Sequence, residues 1–167
     1  MARPYRPIAE FAVTNYRVPA DPTQFETPAI RLAWEHWHAK RGANAITLRS
    51  AIDPLEMPLL VGNVTLIEVG DGTKRYRIRL HATNVAHPIG VDLTGQTVDG
   101  FPVEMRGAIV RAYDAIVDGP HRSVYDQHYC KWEDGEAVLR ERLVLPLSRD
   151  GATLSHLFAV NVLIRRE

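Results

Sequence analysis

Seven histidines and one cysteine are the side chains best suited to bind a metal or move a proton. Their spacing decides against most of that chemistry. His36 and His38 fall two apart in a stretch of helical periodicity, about 200° around the axis, so they cannot share one ion. Trp34-Glu35-His36-Trp37-His38 superficially matches a zinc motif, but its second histidine follows after two residues, and a shared helix face needs four. His128 and Cys130 are two apart in a segment that reads as a strand, so they share a face. Two ligands are not the four of a structural zinc site, and the pair reads as a polar strand histidine beside an incidental thiol. There is no Gly-x-Ser-x-Gly elbow, no Walker A loop, no Gly-x-Gly-x-x-Gly and no His-Glu-x-x-His. No catalytic residue and no metal site are expected.

Two polar residues interrupt otherwise apolar runs. Asn161 lies within Leu157–Ile164, where a buried amide needs hydrogen-bond partners. Glu141 shares an alternating row with Leu139, Leu143, Leu145 and Leu147, where an unpaired carboxylate is costly. Either Asn161 satisfies backbone groups and Glu141 pairs with an arginine, or one or both hold a small polar ligand. Arg75, Arg77 and Arg79 form a further row on one face of a strand. It is either solvated and paired with neighbouring acids or turned towards an acidic protein surface or nucleic acid.

The elements that must position these residues follow from periodicity and breakers. Thr27-Pro28 reads as an N-cap followed by proline in the first turn, and Gly42 stops the helix that runs from Ala29 to Arg41. Ile30, Trp34 and Trp37 fall on one face of that helix. They either cover a core or form a dimer interface, for which two tryptophans are a large apolar payload. Ser50–Pro58 is a turn-rich connection. Asn63–Val69 and Arg75–His81 form a hairpin around Gly70-Asp71-Gly72, with Tyr76, Ile78 and Leu80 alternating onto one face. Ala82–Gln96, with Pro88, Gly90 and Gly95, allows short helical turns, and Pro102–Asp118 carries helical spacing up to Gly119-Pro120. Three strands follow, at Arg122–Lys131, Ala137–Leu147 and Leu154–Ile164. The last, apolar on both faces, belongs in the centre of a sheet, and the polar Arg122–Lys131 belongs at its edge.

With 167 residues the chain suits one domain. Twenty Lys and Arg balance twenty Asp and Glu, which argues against a domain built to hold a phosphate backbone, so nucleic acid is not an expected partner. The lone Cys130 rules out an intramolecular disulfide. Residues 1–28 contain five prolines and no apolar signal core, and no run of about 18 apolar residues occurs, so a cytoplasmic protein without membrane contact is expected. Residues 1–27 read as a partly flexible arm in which Ile8–Val13 docks on its own domain or on a second subunit. Residues 28–167 read as a single domain.

The order helix, two strands, helical crossover, three strands, with the last strand central, is an α+β antiparallel layout. It resembles a PAS domain, and more narrowly the compact single-domain PAS family common in alphaproteobacteria. The matching residues are Trp37–Gly42, Ile52–Pro58, Leu93-Thr94-Gly95 and Glu141–Ser148, within a resemblance spanning roughly residues 30 to 164. It implies a five-stranded sheet in the order 2-1-5-4-3, with a helical crossover between the second and third strands and an N-terminal helix. It also implies a ligand cavity between sheet and helices, which places Tyr76, Tyr113, Glu141 and Asn161 as candidate ligand-binding residues. The function it implies is that of a non-enzymatic sensory and signalling protein, homodimeric, acting on a separate signalling protein because too little chain remains for an output domain. Two alternatives are a small-ligand or haem-binding sensor, and a small cone-shaped α+β enzyme without a recognisable motif. Flavin photochemistry of the light-oxygen-voltage type needs a cysteine in the crossover, and Cys130 lies elsewhere. A haem sensor of the usual type needs a histidine on the long helix. Pro102–Asp118 has none, which leaves His81 and His87. No cofactor is assigned.

Overall fold

The alternating segments pair into one antiparallel sheet, which the computed structural model describes within residues 6–164. Its strands are β1 (Ile8–Arg17), β2 (Val64–Val69), β3 (Tyr76–His81), β4 (Val124–Trp132), β5 (Ala137–Ser148) and β6 (Leu154–Ile164), in the spatial order β1-β4-β5-β6-β2-β3. β6 lies between β5 and β2, as its two apolar faces predict for a central strand. With β1 set aside, the remaining five have the 2-1-5-4-3 order of the PAS fold.

The sixth strand is a correction to the five expected. Ile8–Arg17, part of the segment read as an arm, pairs antiparallel with β4 from Ile8 opposite Trp132 to Arg17 opposite Tyr125. The pairing is irregular between Ile8 and Glu10 and again between Val13 and Asn15. Ile8–Val13 therefore docks on its own domain, and β4 is an interior strand. Polarity misleads at β4 because Asp126, Gln127 and His128 are buried residues that face neighbouring side chains and not water.

A second departure lies in β3. Ile67 pairs with Ile78 but Leu66 with Leu80, so Arg79 is an extra residue on its strand. Such a bulge reverses the alternation beyond it. Tyr76 and Ile78 stay buried, but Leu80 turns out to solvent and His81 turns in.

Helix α1 (Pro28–Arg41) starts where the sequence predicts: Thr27 Oγ1 accepts from Ile30 N, and Gly42 ends the helix at a φ of +56°. It covers one face of the sheet, the face of Tyr125, Leu143, Leu145, Leu147, Phe158 and Val160. Ile30 is fully buried there, which stabilises the chain by roughly 2–3 kcal/mol. Trp37 Nε1 donates to the Pro146 carbonyl at 3.0 Å, and Trp34 stacks on His38. The tryptophan face thus covers the core of its own chain, and Ile30 has no surface left to offer a second copy.

Helices α2 (Thr83–Ile89) and α3 (Val103–Val117) cover the opposite face, that of Ile67, Ile78, Val144, Leu157 and Ala159. No helix among the described residues is long and apolar enough to cross a membrane. The arginine row is engaged: Arg75 bridges Asp114 and Asp118, Arg79 pairs with Glu68, and Arg77 donates to the Gly95 carbonyl.

Glu141 docks α1 onto the sheet. It is fully buried on the α1 face and pairs with no arginine among the described residues. It accepts from Glu26 N at 2.9 Å, Thr27 N at 2.6 Å and the Tyr125 hydroxyl at 2.6 Å. Glu141→Ala strands these three donors, and each buried unsatisfied group costs about 1–3 kcal/mol. Urea unfolding should therefore show Glu141→Ala destabilised by at least about 2 kcal/mol, with the loss confined mainly to the α1 side in hydrogen exchange.

Candidate functional site

Alternation sends the even-numbered residues of β4 and β5, and the odd-numbered residues of β6, to the α2–α3 face. There a cavity of about 60 Å³ opens between the sheet, α2, α3 and Phe11 of β1, with room for a few waters or an organic molecule of a few heavy atoms. Its upper wall is apolar, from Ile89, Phe101, Met105 and Ile109. Its floor is not.

Across that floor runs a polar row set by strand register. Asp126 on β4 is opposite Arg142 on β5, and Arg142 is opposite Asn161 on β6. The next row brings His128 opposite Arg140. Arg142 grips Asp126 in a two-point contact, Nε at 3.1 Å and Nη2 at 2.5 Å, and both side chains are buried. Burial pushes the Asp126 carboxyl up, but Arg142 and His128 more than offset this and hold it at about 2. Burial pulls the Arg142 guanidinium down, and Asp126 outweighs that too. The result is a locked ion pair and not a base poised near neutrality. The His128 imidazole is depressed by burial despite Asp126 at 3.8 Å, and the Cys130 thiol is pushed up to about 11 by burial.

Two buried polar atoms of the cavity lining have no partner among the described residues: Asn161 Oδ1 and Trp132 Nε1. Such atoms are rare in folded proteins; His36 Nε2 and His81 Nε2 are two more, outside this lining.

The four candidate residues separate. Asn161 and Tyr113 line the cavity, and burial pushes the Tyr113 phenol up to about 12, which keeps it neutral. Tyr76 lies outside the lining; its hydroxyl donates to Asp114 at 2.5 Å and its ring meets Tyr113 edge-on. Glu141 projects from the other face of β5, one residue out of phase with Arg140 and Arg142. Neither His81 nor His87, the two histidines that keep a haem alternative open, lines the cavity, and no group of three or more His, Cys, Asp or Glu is placed to hold a metal among the described residues. Asp126, Arg140, Arg142 and Trp132 were not foreseen as site residues. The signal for them was present in the alternation of Asp126, His128 and Cys130 along one strand, but a strand read as an edge makes those residues look solvated.

A family model described as PAS domain matches residues 25–160. Among solved structures the chain is similar to an RNA-binding light-oxygen-voltage receptor, at 15% identity and a TM-score of 0.42, over 94% of this chain and 39% of that one. The chain thus spans well under half of that receptor's length. A comparison with curated proteins finds no match.

Asp126→Asn leaves the buried Arg142 without its counter-charge and should cost about 3–5 kcal/mol in urea unfolding at pH 7. An aspartate whose pKa falls from an ordinary value of about 3.9 to the lower folded value contributes stability that is complete above about pH 4 and lost as pH falls towards 2. The acid limb of a pH–stability curve should be shallower in Asp126→Asn than in the wild type.

Proposed function

This chain belongs to the PAS domain family, and on that footing we propose that it is a sensory signalling protein that carries a small ligand in the cavity between its sheet and α2–α3. In this reading it is of the compact single-domain type, cytoplasmic and homodimeric. It catalyses nothing and acts through contacts with a separate signalling protein. PAS domains are generally sensory modules, and the cavity occupies the place where such a domain would take its ligand.

The observation that carries the ligand reading is the pair of unpartnered buried atoms, Asn161 Oδ1 and Trp132 Nε1, in a cavity with apolar walls. Left empty, that arrangement costs the desolvation of both groups, and an occupant with matching polar atoms recovers it. The non-enzymatic reading is supported by the state of the floor. Asp126 is committed to Arg142 and is not free to act as a base. For the dimer, Trp34 and Trp37 are the side chains of the α1 face that keep partial exposure, and they are the ones a second copy would meet.

Native mass spectrometry of protein purified without denaturation reads ligand and assembly together. A dimer carrying a non-covalent adduct, lost on denaturation and absent from a cavity-filling Ala108→Phe variant, is the expected result. A bare monomer overturns both the ligand and the dimer readings.

A further inference from the structure

Arg140 and Arg142 lie two apart on the same face of β5 but in opposite electrostatic conditions. Arg142 is neutralised by Asp126. Arg140 lines the cavity yet makes no hydrogen bond or ion pair among the described residues. Burial pulls its guanidinium below its ordinary pKa, and the compensation from Cys130 and Glu136 is partial, since Glu136 is itself bound by Arg6. His128, directly opposite, offers no counter-charge, since an imidazole is either neutral or cationic. The charged side chains of the lining are therefore one carboxylate and two guanidiniums, which leaves one positive charge uncompensated.

Position adds to charge. Arg140 and Pro88 belong both to the cavity and to an outer cleft bordered by Asn84, His87 and Leu163, so the guanidinium stands at the partition between them. Asn161 is opposite Arg142 on β6, which makes it the diagonal neighbour of Arg140, at a separation of about 7–8 Å between such backbones. Arg140 is half-buried, and an unpaired cation so placed attracts an anion; a planar guanidinium fork matches a carboxylate. The unpaired Asn161 oxygen demands a donor beside that anion. The walls demand an apolar body.

Resting on the reading of this cavity as a ligand site, we propose that its ligand is a small carboxylic acid with an apolar body. Arg140 holds the carboxylate, and Asn161 Oδ1 accepts from a hydroxyl or N–H on the adjoining carbon. Arg140 thus sets the charge of the ligand, and Asn161 selects acids that carry a donor.

Three small probes of one shape separate these demands: lactate has both the carboxylate and the hydroxyl, propionate lacks the hydroxyl, and propionamide lacks the charge. Isothermal titration of the full chain should find lactate tightest, propionate several-fold weaker, and propionamide weaker than propionate by about tenfold to a hundredfold, the range of a charge-assisted hydrogen bond. Arg140→Met should abolish the preference for acid over amide, Arg140→Lys should keep part of it, and Asn161→Leu should abolish only the gain from the hydroxyl. The proposal is overturned if the amide equals the acid on the wild type, if Arg140→Met binds propionate unchanged, or if the wild type binds none of the three. The wild-type comparison does not depend on any variant folding. Binding of the amide with no preference for acid leaves the cavity as a ligand site and removes only its charge selection. Absence of all probe binding together with no adduct in the purified protein removes both.

Discussion

A β-strand has two faces and no third, and β5 uses that constraint to hold opposite charges back to back. Its odd-numbered residues, Glu141 among them, meet α1, and its even-numbered residues, Arg140 and Arg142, meet the cavity. A slip of one residue would exchange the two sets. Glu141 would then lose its three donors, and the arginines would be driven into the apolar core under α1. The register of β5 between β4 and β6 is therefore the condition on which both the docking of α1 and the polarity of the cavity rest.

The two faces treat buried charge differently. Glu141 is saturated by two backbone N–H groups and a phenol, which turns a buried carboxylate into a joint between the sheet and the start of α1. The opposite face is half-resolved. Asp126 and Arg142 satisfy one another, but Asn161 and Trp132 each retain an idle polar atom and Arg140 an idle charge. A completed network stiffens a core, whereas an incomplete one is costly unless something else completes it.

Much of the fold was legible in the sequence. The cap at Thr27, the stop at Gly42, the hairpin and the central place of the two-sided apolar strand β6 all follow from local pattern and survive in three dimensions. Asn161 was legible as a polar residue in an apolar run. The rest required contacts distant in sequence. The polar residues of β4 look solvated until β1, more than a hundred residues earlier, is seen to cover that strand. Leu80 looks buried until the bulge at Arg79 reverses the alternation. Glu141 is recognisably costly, yet two of its three partners are backbone groups, which composition cannot point to.

The covering strand β1 settles one difficulty and creates another. It removes the open hydrogen-bonding edge of β4 but becomes the outermost strand itself. An outermost strand with regular spacing is a template on which another chain can extend the sheet and begin aggregation. The two irregularities in β1, between Ile8 and Glu10 and between Val13 and Asn15, interrupt that spacing, so its outward amides and carbonyls do not form a continuous ladder. Removing those irregularities would straighten the strand and improve it locally, but at the expense of solubility.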